Sequence, residues 1–216
     1  VELTMNFVKS VSKEPVLCKK DVAGFIVNRI FIPLVHEAAW AMDRNHAAMT
    51  EIDSAVKFKI GFPMGIFELA DFTGLDVIHK ATIEMHSRDK KVINPHPKIQ
   101  ELFDNKKLGQ KTGSGFYEYS GEKYERIPLS EELAKRFDPV ELVANMLNNA
   151  AWLVTNQASD IPEIEKALQL GMGLKKPLFE TGKELGISNI VATLNEQAKK
   201  YGRFYEPDPL LVSMKH

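Results

Sequence analysis

Four patterns in this chain could do chemistry. His36-Glu37-Ala38-Ala39-Trp40 resembles a zinc-protease helix until its fifth position, where a second histidine would have to complete the ligands on one helical face; Trp40 cannot serve. Gly109-Gln-Lys111-Thr-Gly113 holds a lysine among glycines, but the spacing is wrong for a phosphate loop, and an aromatic extended segment follows where a helix should begin. Gly171-Met-Gly173 lacks the third glycine of a dinucleotide fingerprint. His79 and His86 share one predicted helix without cysteine or carboxylate partners at ligand spacing, so no metal site is expected.

The elements that must position any site occur twice. When the sequence is slid along itself, Phe25 falls on Phe137, a shift of 112 residues, 137 minus 25. At the same shift Ala38-Ala39-Trp40 falls on Ala150-Ala151-Trp152, Glu51-Ile52 on Glu163-Ile164, Gly61 on Gly173, Phe67-Glu68 on Phe179-Glu180, Gly74 on Gly186, and Pro95-x-Pro97 on Pro207-x-Pro209. A register kept without a gap over that length reads as an internal duplication.

The chain has 216 residues and is 44% hydrophobic, enough to bury a sizeable core in one large domain or two of about 100 residues. A net charge of −1 provides no field to recruit nucleic acid or an anionic membrane, so neither partner is expected. The single cysteine, Cys18, excludes an intrachain disulfide framework and fits a reducing compartment, which we take to be cytoplasmic. No apolar run of about 18 residues could span a bilayer, and no signal peptide is evident. Val1 opens directly into a helical pattern, which reads as a piece of something longer.

Residues 2 to 13 have helical spacing (Leu3, Phe7, Val8, Val11), and Pro15-Val-Leu-Cys18 reads as a short strand; together residues 1 to 20 look like the last pieces of another domain. From Gly24 to about Asn45 the apolar residues cover more than one face, which predicts a central helix kinked at Pro33. Thr50-x-x-Asp53 reads as a capping box opening a helix that Gly61 closes. Pro63 starts another helix, Gly74 precedes one running to about Ser87, and a last helix covers roughly 98 to 105. The predicted organisation is all-α: a first helical unit at 21 to 119, a polar linker at 120 to 136, and a second, truncated unit at 137 to 216 opened by Asp138-Pro139-Val-Glu141.

Lys20-Asp21 leading into Gly24-Phe-Ile-Val-Asn28-Arg29, then Gly61-Phe-Pro-Met-Gly65, Phe67-Glu68-Leu69, Asp71, Gly74-Leu-Asp76 and Lys111-Thr-Gly113-Ser-Gly115-Phe116-Tyr117, resemble the C-terminal helical domain of the L-3-hydroxyacyl-CoA dehydrogenases. The resemblance covers 15 to 119 with specific motifs and 137 to 216 more weakly. Its duplicated form resembles the versions in multifunctional fatty-acid oxidation enzymes, where an enoyl-CoA hydratase is fused to the dehydrogenase. It implies an NAD-dependent oxidation of 3-hydroxyacyl-CoA in β-oxidation. NAD and the catalytic His and Glu would be held by the chain's own N-terminal dinucleotide-binding (Rossmann) domain, which this sequence lacks. A related dehydrogenase acting on a small hydroxy acid, or a non-catalytic helical interaction module, remains an alternative.

The same resemblance implies a supporting catalytic role for Asn28, whose amide can donate to an oxygen and accept from an imidazole without adding charge. Read from the residue alone, Asn28 is more readily a buried helix amide satisfied by backbone. Lys111 matches a lysine that reaches the cofactor, and its plain reading is a solvated loop lysine. Pro63, Met64, Phe67 and Leu69 could line the acyl side of the cleft, or pack in the core. In the second unit Asn28 becomes Val140, Pro63 becomes Lys175 and Met64 becomes Lys176, while Trp152, Phe179, Glu180 and Gly186 are kept. The second unit is therefore expected to hold structure rather than chemistry, packed against the first as an intrachain pseudo-dimer.

Overall fold

A computed structural model describes residues 1–121 and 125–215. The architecture is all-α. Twelve α-helices occur among the described residues: α1 (Glu2–Ser10), α2 (Val27–Asn45), α3 (Met49–Ala55), α4 (Ile66–Thr73), α5 (Leu75–Arg88), α6 (Pro97–Asp104), α7 (Glu131–Ala134), α8 (Val140–Thr155), α9 (Ile161–Met172), α10 (Leu178–Leu185), α11 (Ile187–Tyr201) and α12 (Pro209–Ser213). No described helix is long and apolar enough to cross a membrane.

The long helix α2 is the centre, and it is buried on nearly every side, from Arg29 through Ala39. It runs unbroken through Pro33, where the expected kink does not interrupt the helix; one ladder hydrogen bond is lost, and packing on both flanks holds the turn. Its principal neighbour is α8, which buries Leu142, Val143, Met146, Leu147, Ala150, Ala151 and Leu153. Helices α4, α5 and α9 cover the remaining faces of α2. Side chains from 23 to 211 join one continuous hydrophobic core, with Ile30, Leu34, Val35, Leu147 and Ala150 fully excluded from solvent.

Several elements depart from their sequence reading for identifiable reasons. Thr50-x-x-Asp53 does not cap α3. Glu51 instead accepts a hydrogen bond from the Ala48 amide at 3.0 Å, and Asp53 turns inward to the start of α4, accepting from the Phe67 and Glu68 amides at 2.8 and 3.1 Å. A Cβ on Gly65 would fall onto that carboxylate, so glycine is required where α4 begins, three residues later than Pro63. In the second half Glu165 accepts from the Leu178 and Phe179 amides at 2.8 and 2.9 Å at the start of α10. Gly61 does end its helix, at φ +98°, but after a π-helical turn over Val56–Ile60.

Pro15-Val-Leu-Cys18 forms no strand, having no described neighbour to pair with. The adjoining Lys19 amide bonds the Ala158 carbonyl at 2.8 Å, and Lys19 Nζ pairs with Asp160 at 2.7 Å. Nor is the 120 to 136 stretch a featureless linker, although residues 122–124 of it lie outside the described residues. It contains α7, capped by Ser130, which packs on α3; Ser130 N donates to Ser54 Oγ at 3.3 Å, and Arg136 faces Glu51 at 3.5 Å.

A buried polar cluster ties α2 to α5 and α6. His36 Nδ1 accepts from the His96 amide at 2.9 Å, which leaves Nε2–H to donate to Thr82 Oγ1 at 2.8 Å; Thr82 in turn donates to the Ile78 carbonyl. Only neutral imidazole satisfies this arrangement, and burial, with His96 and His79 nearby, lowers the His36 pKa to about 3. A folded-state pKa below the unfolded value near 6.5 contributes stability that is present above about pH 6.5 and lost as pH falls toward 3. Urea unfolding should therefore show about 2 to 3 kcal/mol lost to His36 between pH 7 and 4.5. His36→Gln keeps the donor to Thr82 without a titrating ring and should have a shallower acid slope; equal slopes would refute the assignment.

Candidate functional site

The turn that opens α2 is strained. Gly24 has φ +77° and Phe25 has φ +50°, a left-handed conformation uncommon for a bulky residue, and the Arg29 amide closes the turn on the Gly24 carbonyl at 3.1 Å. A Cβ at Gly24 would meet the Met85 side chain and the Arg29 amide nitrogen. This geometry presents Asn28 on the first turn of α2, exposed and without a hydrogen bond among the described residues, so the buried-amide reading does not hold. Beside it lies a recess of about 450 Å³ lined by Val16, Cys18, Phe25, Ile26, Val27 and, from α9, Ala167. An uncommitted amide at the edge of an apolar recess can bond one oxygen of a ligand whose carbon chain the recess shelters.

Lys111 sits in a 3₁₀ turn, Gln110–Thr112, with its ammonium paired to Asp76 at the start of α5. That hydrogen bond, together with the charge of Lys111, lowers the Asp76 pKa. The glycines around Lys111 have a structural explanation in Asp71. Its carboxylate accepts from the Phe116 and Tyr117 amides, both at 2.9 Å, and from the Tyr119 hydroxyl at 2.8 Å. A Cβ on Gly115 would strike this carboxylate, and one on Gly109 would strike the Asp71 backbone. Burial raises the Asp71 pKa to about 6 despite these donors. The aromatic segment is thus clasped onto α4, and Lys111 is carried at its edge, partly exposed.

The four expected wall residues are not equivalent. Phe67 is fully buried, its ring 4.6 Å from that of Phe116, so it packs in the core and offers no surface to a ligand. Met64 is buried and Leu69 is partly buried against the core. Pro63 faces the second half, where a Cβ on Gly173 would come within 3.0 Å of its ring. Asn28 and these residues are therefore not gathered into one cleft by this chain.

Two residues that the sequence motifs contain make contacts the motifs do not announce. Arg29, next to Asn28, is 2% exposed; its guanidinium stacks 3.2 Å from the centroid of the Trp152 ring and pairs with Asp89 at 3.1 Å. A basic residue on an otherwise apolar helix face was the available signal. Glu37 is buried on α2 and accepts from Arg44, from Gln197 Nε2 at 3.1 Å and from the Tyr205 hydroxyl at 2.8 Å, while Arg44 also reaches Glu141 at 2.8 Å. Burial opposes the charge on Arg44, but the two carboxylates outweigh it and hold the guanidinium firmly protonated. This network crosses between the halves of the chain and requires partners far away in sequence.

Comparison with known proteins finds a family match for part of the chain. The model of the 3-hydroxyacyl-CoA dehydrogenase C-terminal domain matches residues 24–119. The mitochondrial hydroxyacyl-coenzyme A dehydrogenase of Rattus norvegicus is 42% identical over 120 residues, which is 55% of this chain and 38% of that protein. The chain thus spans well under half the length of this relative. In fold, it superposes over 99% of its length on 64% of the chain of 3-hydroxybutyryl-CoA dehydrogenase from Escherichia coli, with a TM-score of 0.82 and 21% identity. Over 98% of its length it also matches 52% of the dehydrogenase part of multifunctional enzyme 1 from C. elegans, with a TM-score of 0.61 and 18% identity. The match to the 3-hydroxyacyl-CoA dehydrogenase C-terminal domain family is thus confined to residues 24–119, and the likeness over the whole chain is one of fold.

Proposed function

We propose that this chain is the substrate-binding and helix-pairing region of an NAD-dependent 3-hydroxyacyl-CoA dehydrogenase of fatty-acid β-oxidation. It would work with an N-terminal Rossmann domain that binds NAD and holds the catalytic His and Glu. The observation that carries the reading is the exposed Asn28 amide at the edge of an apolar recess, within residues 24–119 that the family model matches. When bound, NAD would accept hydride from the 3-carbon of the acyl-CoA as the histidine takes the hydroxyl proton, and Asn28 would bond the reacting oxygen. Lys111 would reach the cofactor by exchanging its Asp76 partner for a phosphate or ribose oxygen. Pro63, Met64 and Leu69 would serve the acyl side only through edges left open at the domain cleft. A fused enoyl-CoA hydratase domain would suit a chain whose fold is matched by the dehydrogenase part of a multifunctional enzyme. The single cysteine accords with a reducing, cytoplasmic setting, although the rat relative is described as mitochondrial.

We further read the chain as residues 1 to 20 of a preceding domain, a first unit at 21 to 119, a connector at 120 to 136 and a second copy at 137 to 216. Helices α3 to α6 start at Met49, Ile66, Leu75 and Pro97, and α9 to α12 at Ile161, Leu178, Ile187 and Pro209, each 112 residues later (161 minus 49, 209 minus 97). Asp53 and Glu165, also 112 apart, cap the equivalent helices α4 and α10. Contacts between the halves are reciprocal. The Lys175 amide donates to the Gly61 carbonyl at 3.1 Å, and the equivalent pair, Pro63 with Gly173, also meets. Such exchange of the same patch is what an isologous pair produces.

Two measurements test the reading. The chain by itself should show no low-micromolar NAD binding by calorimetry, since it has no glycine-rich turn to place a pyrophosphate on a helix N-terminus. Joined to its dinucleotide-binding domain, it should consume NADH with acetoacetyl-CoA. Asn28→Ala should then cost about 1 to 3 kcal/mol of transition-state stabilisation, seen in kcat more than in KM. Unchanged turnover in a folded variant would return Asn28 to a structural role.

A further inference from the structure

Asn28 can serve a reaction only if the strained turn that presents it is held still. Its backbone neighbour Arg29 is anchored from two directions: Asp89, just beyond α5, takes Nη2 at 3.1 Å, and the Trp152 indole on α8 stacks against the guanidinium plane at 3.2 Å. Nε and Nη1 are buried without an acceptor among the described residues, so the indole face is the main compensation for this half of the ion. Burial lowers the Arg29 pKa against the pull of Asp89.

The clamp exists on one side only. At the equivalent place in the second unit Asn28 and Arg29 become Val140 and Glu141 (141 minus 29 is 112). Glu141 pairs with Arg44, and Trp40, the equivalent of Trp152, donates to the Asn94 carbonyl at 2.9 Å and meets the His96 ring edge-on. A cation stacked on tryptophan is thus found where the reactive amide is and not where it has been lost.

We infer that Trp152 is a positioning residue for Asn28, supplied by the second unit and acting through the stacked Arg29 guanidinium. The second unit then does more than cover apolar surface: it fixes the orientation of a group it does not itself carry. The inference rests on the dehydrogenase reading above.

The test is a mutant cycle in the full dehydrogenase, with kcat and KM for acetoacetyl-CoA and the melting temperature measured for each variant. Trp152→Leu should lower kcat about tenfold with KM little changed, and Trp152→Phe, which keeps an aromatic face, should recover most of the loss. In an Asn28→Ala background Trp152→Leu should cost no further kcat, because its effect passes through the amide already removed. Asp89→Asn, on a more exposed side chain, provides a second route if Trp152→Leu does not fold, and should show the same dependence on Asn28. Trp40→Phe is the control and should leave kcat unchanged. Independent, multiplicative losses of kcat in the double variants, or losses confined to KM or melting temperature, would overturn the inference while leaving the dehydrogenase reading intact. An Asn28→Ala enzyme with normal kcat would overturn the inference together with the catalytic role of Asn28, whereas a full-length protein that consumes no NADH with acetoacetyl-CoA would overturn the dehydrogenase reading itself.

Discussion

A helix that is apolar on nearly all its faces cannot be stabilised by one neighbouring layer, and α2 is such a helix. Helices of its own half, α4 and α5, cover one side, and the long side that remains is covered by α8 and α9. Each fully buried Ile, Leu or Val along this contact is worth roughly 1.5 to 3 kcal/mol relative to exposure, so the pairing dominates any single surface interaction. The polar groups at the same contact have to be satisfied there too. Glu37 is paired by groups from α2, α11 and the segment after it, and truncating one of them would leave a buried charge short of a partner.

From that constraint follows the placement of the chemistry. Since the body of α2 is sealed, only its two ends reach the surface, and Asn28 stands on the N-terminal turn beside the recess walled by Val16, Phe25 and Ala167. Residues one would choose from sequence for an acyl wall, Phe67 above all, are consumed by the core that holds α4 to the aromatic segment. The lysine of the glycine-rich segment owes its place to Asp71, which holds the Phe116 and Tyr117 amides just after Gly115 in a fixed clasp.

Much of this was legible in the sequence because it depends on local pattern. The apolar surround of α2, the closing glycine at 61 and the helix before Gly74 are set by short-range periodicity and φ > 0 requirements. The 112-residue register rests on residue types alone, Trp40 and Trp152 among them. What could not be read were side chains whose partners lie far along the chain. Asp53 fits a capping pattern with Thr50 yet caps another helix, because burial under Tyr117 directs it inward. Residues 15 to 18 have strand composition but no partner strand, and composition carries no information about pairing. Arg29 looked like a motif residue beside Asn28, and nothing local announces that an indole more than a hundred residues away stacks on it.

In the proposed arrangement the second half of this chain does the work of a partner subunit for the first. Light scattering of the purified chain across micromolar concentrations, at neutral pH and about 0.15 M salt, measures that claim with little interpretation. The account predicts the mass of one chain throughout, since α8 and α9 already cover α2. A concentration-dependent dimer whose formation buries α2 against a second chain, detected as new amide protection along 27–45, would contradict it.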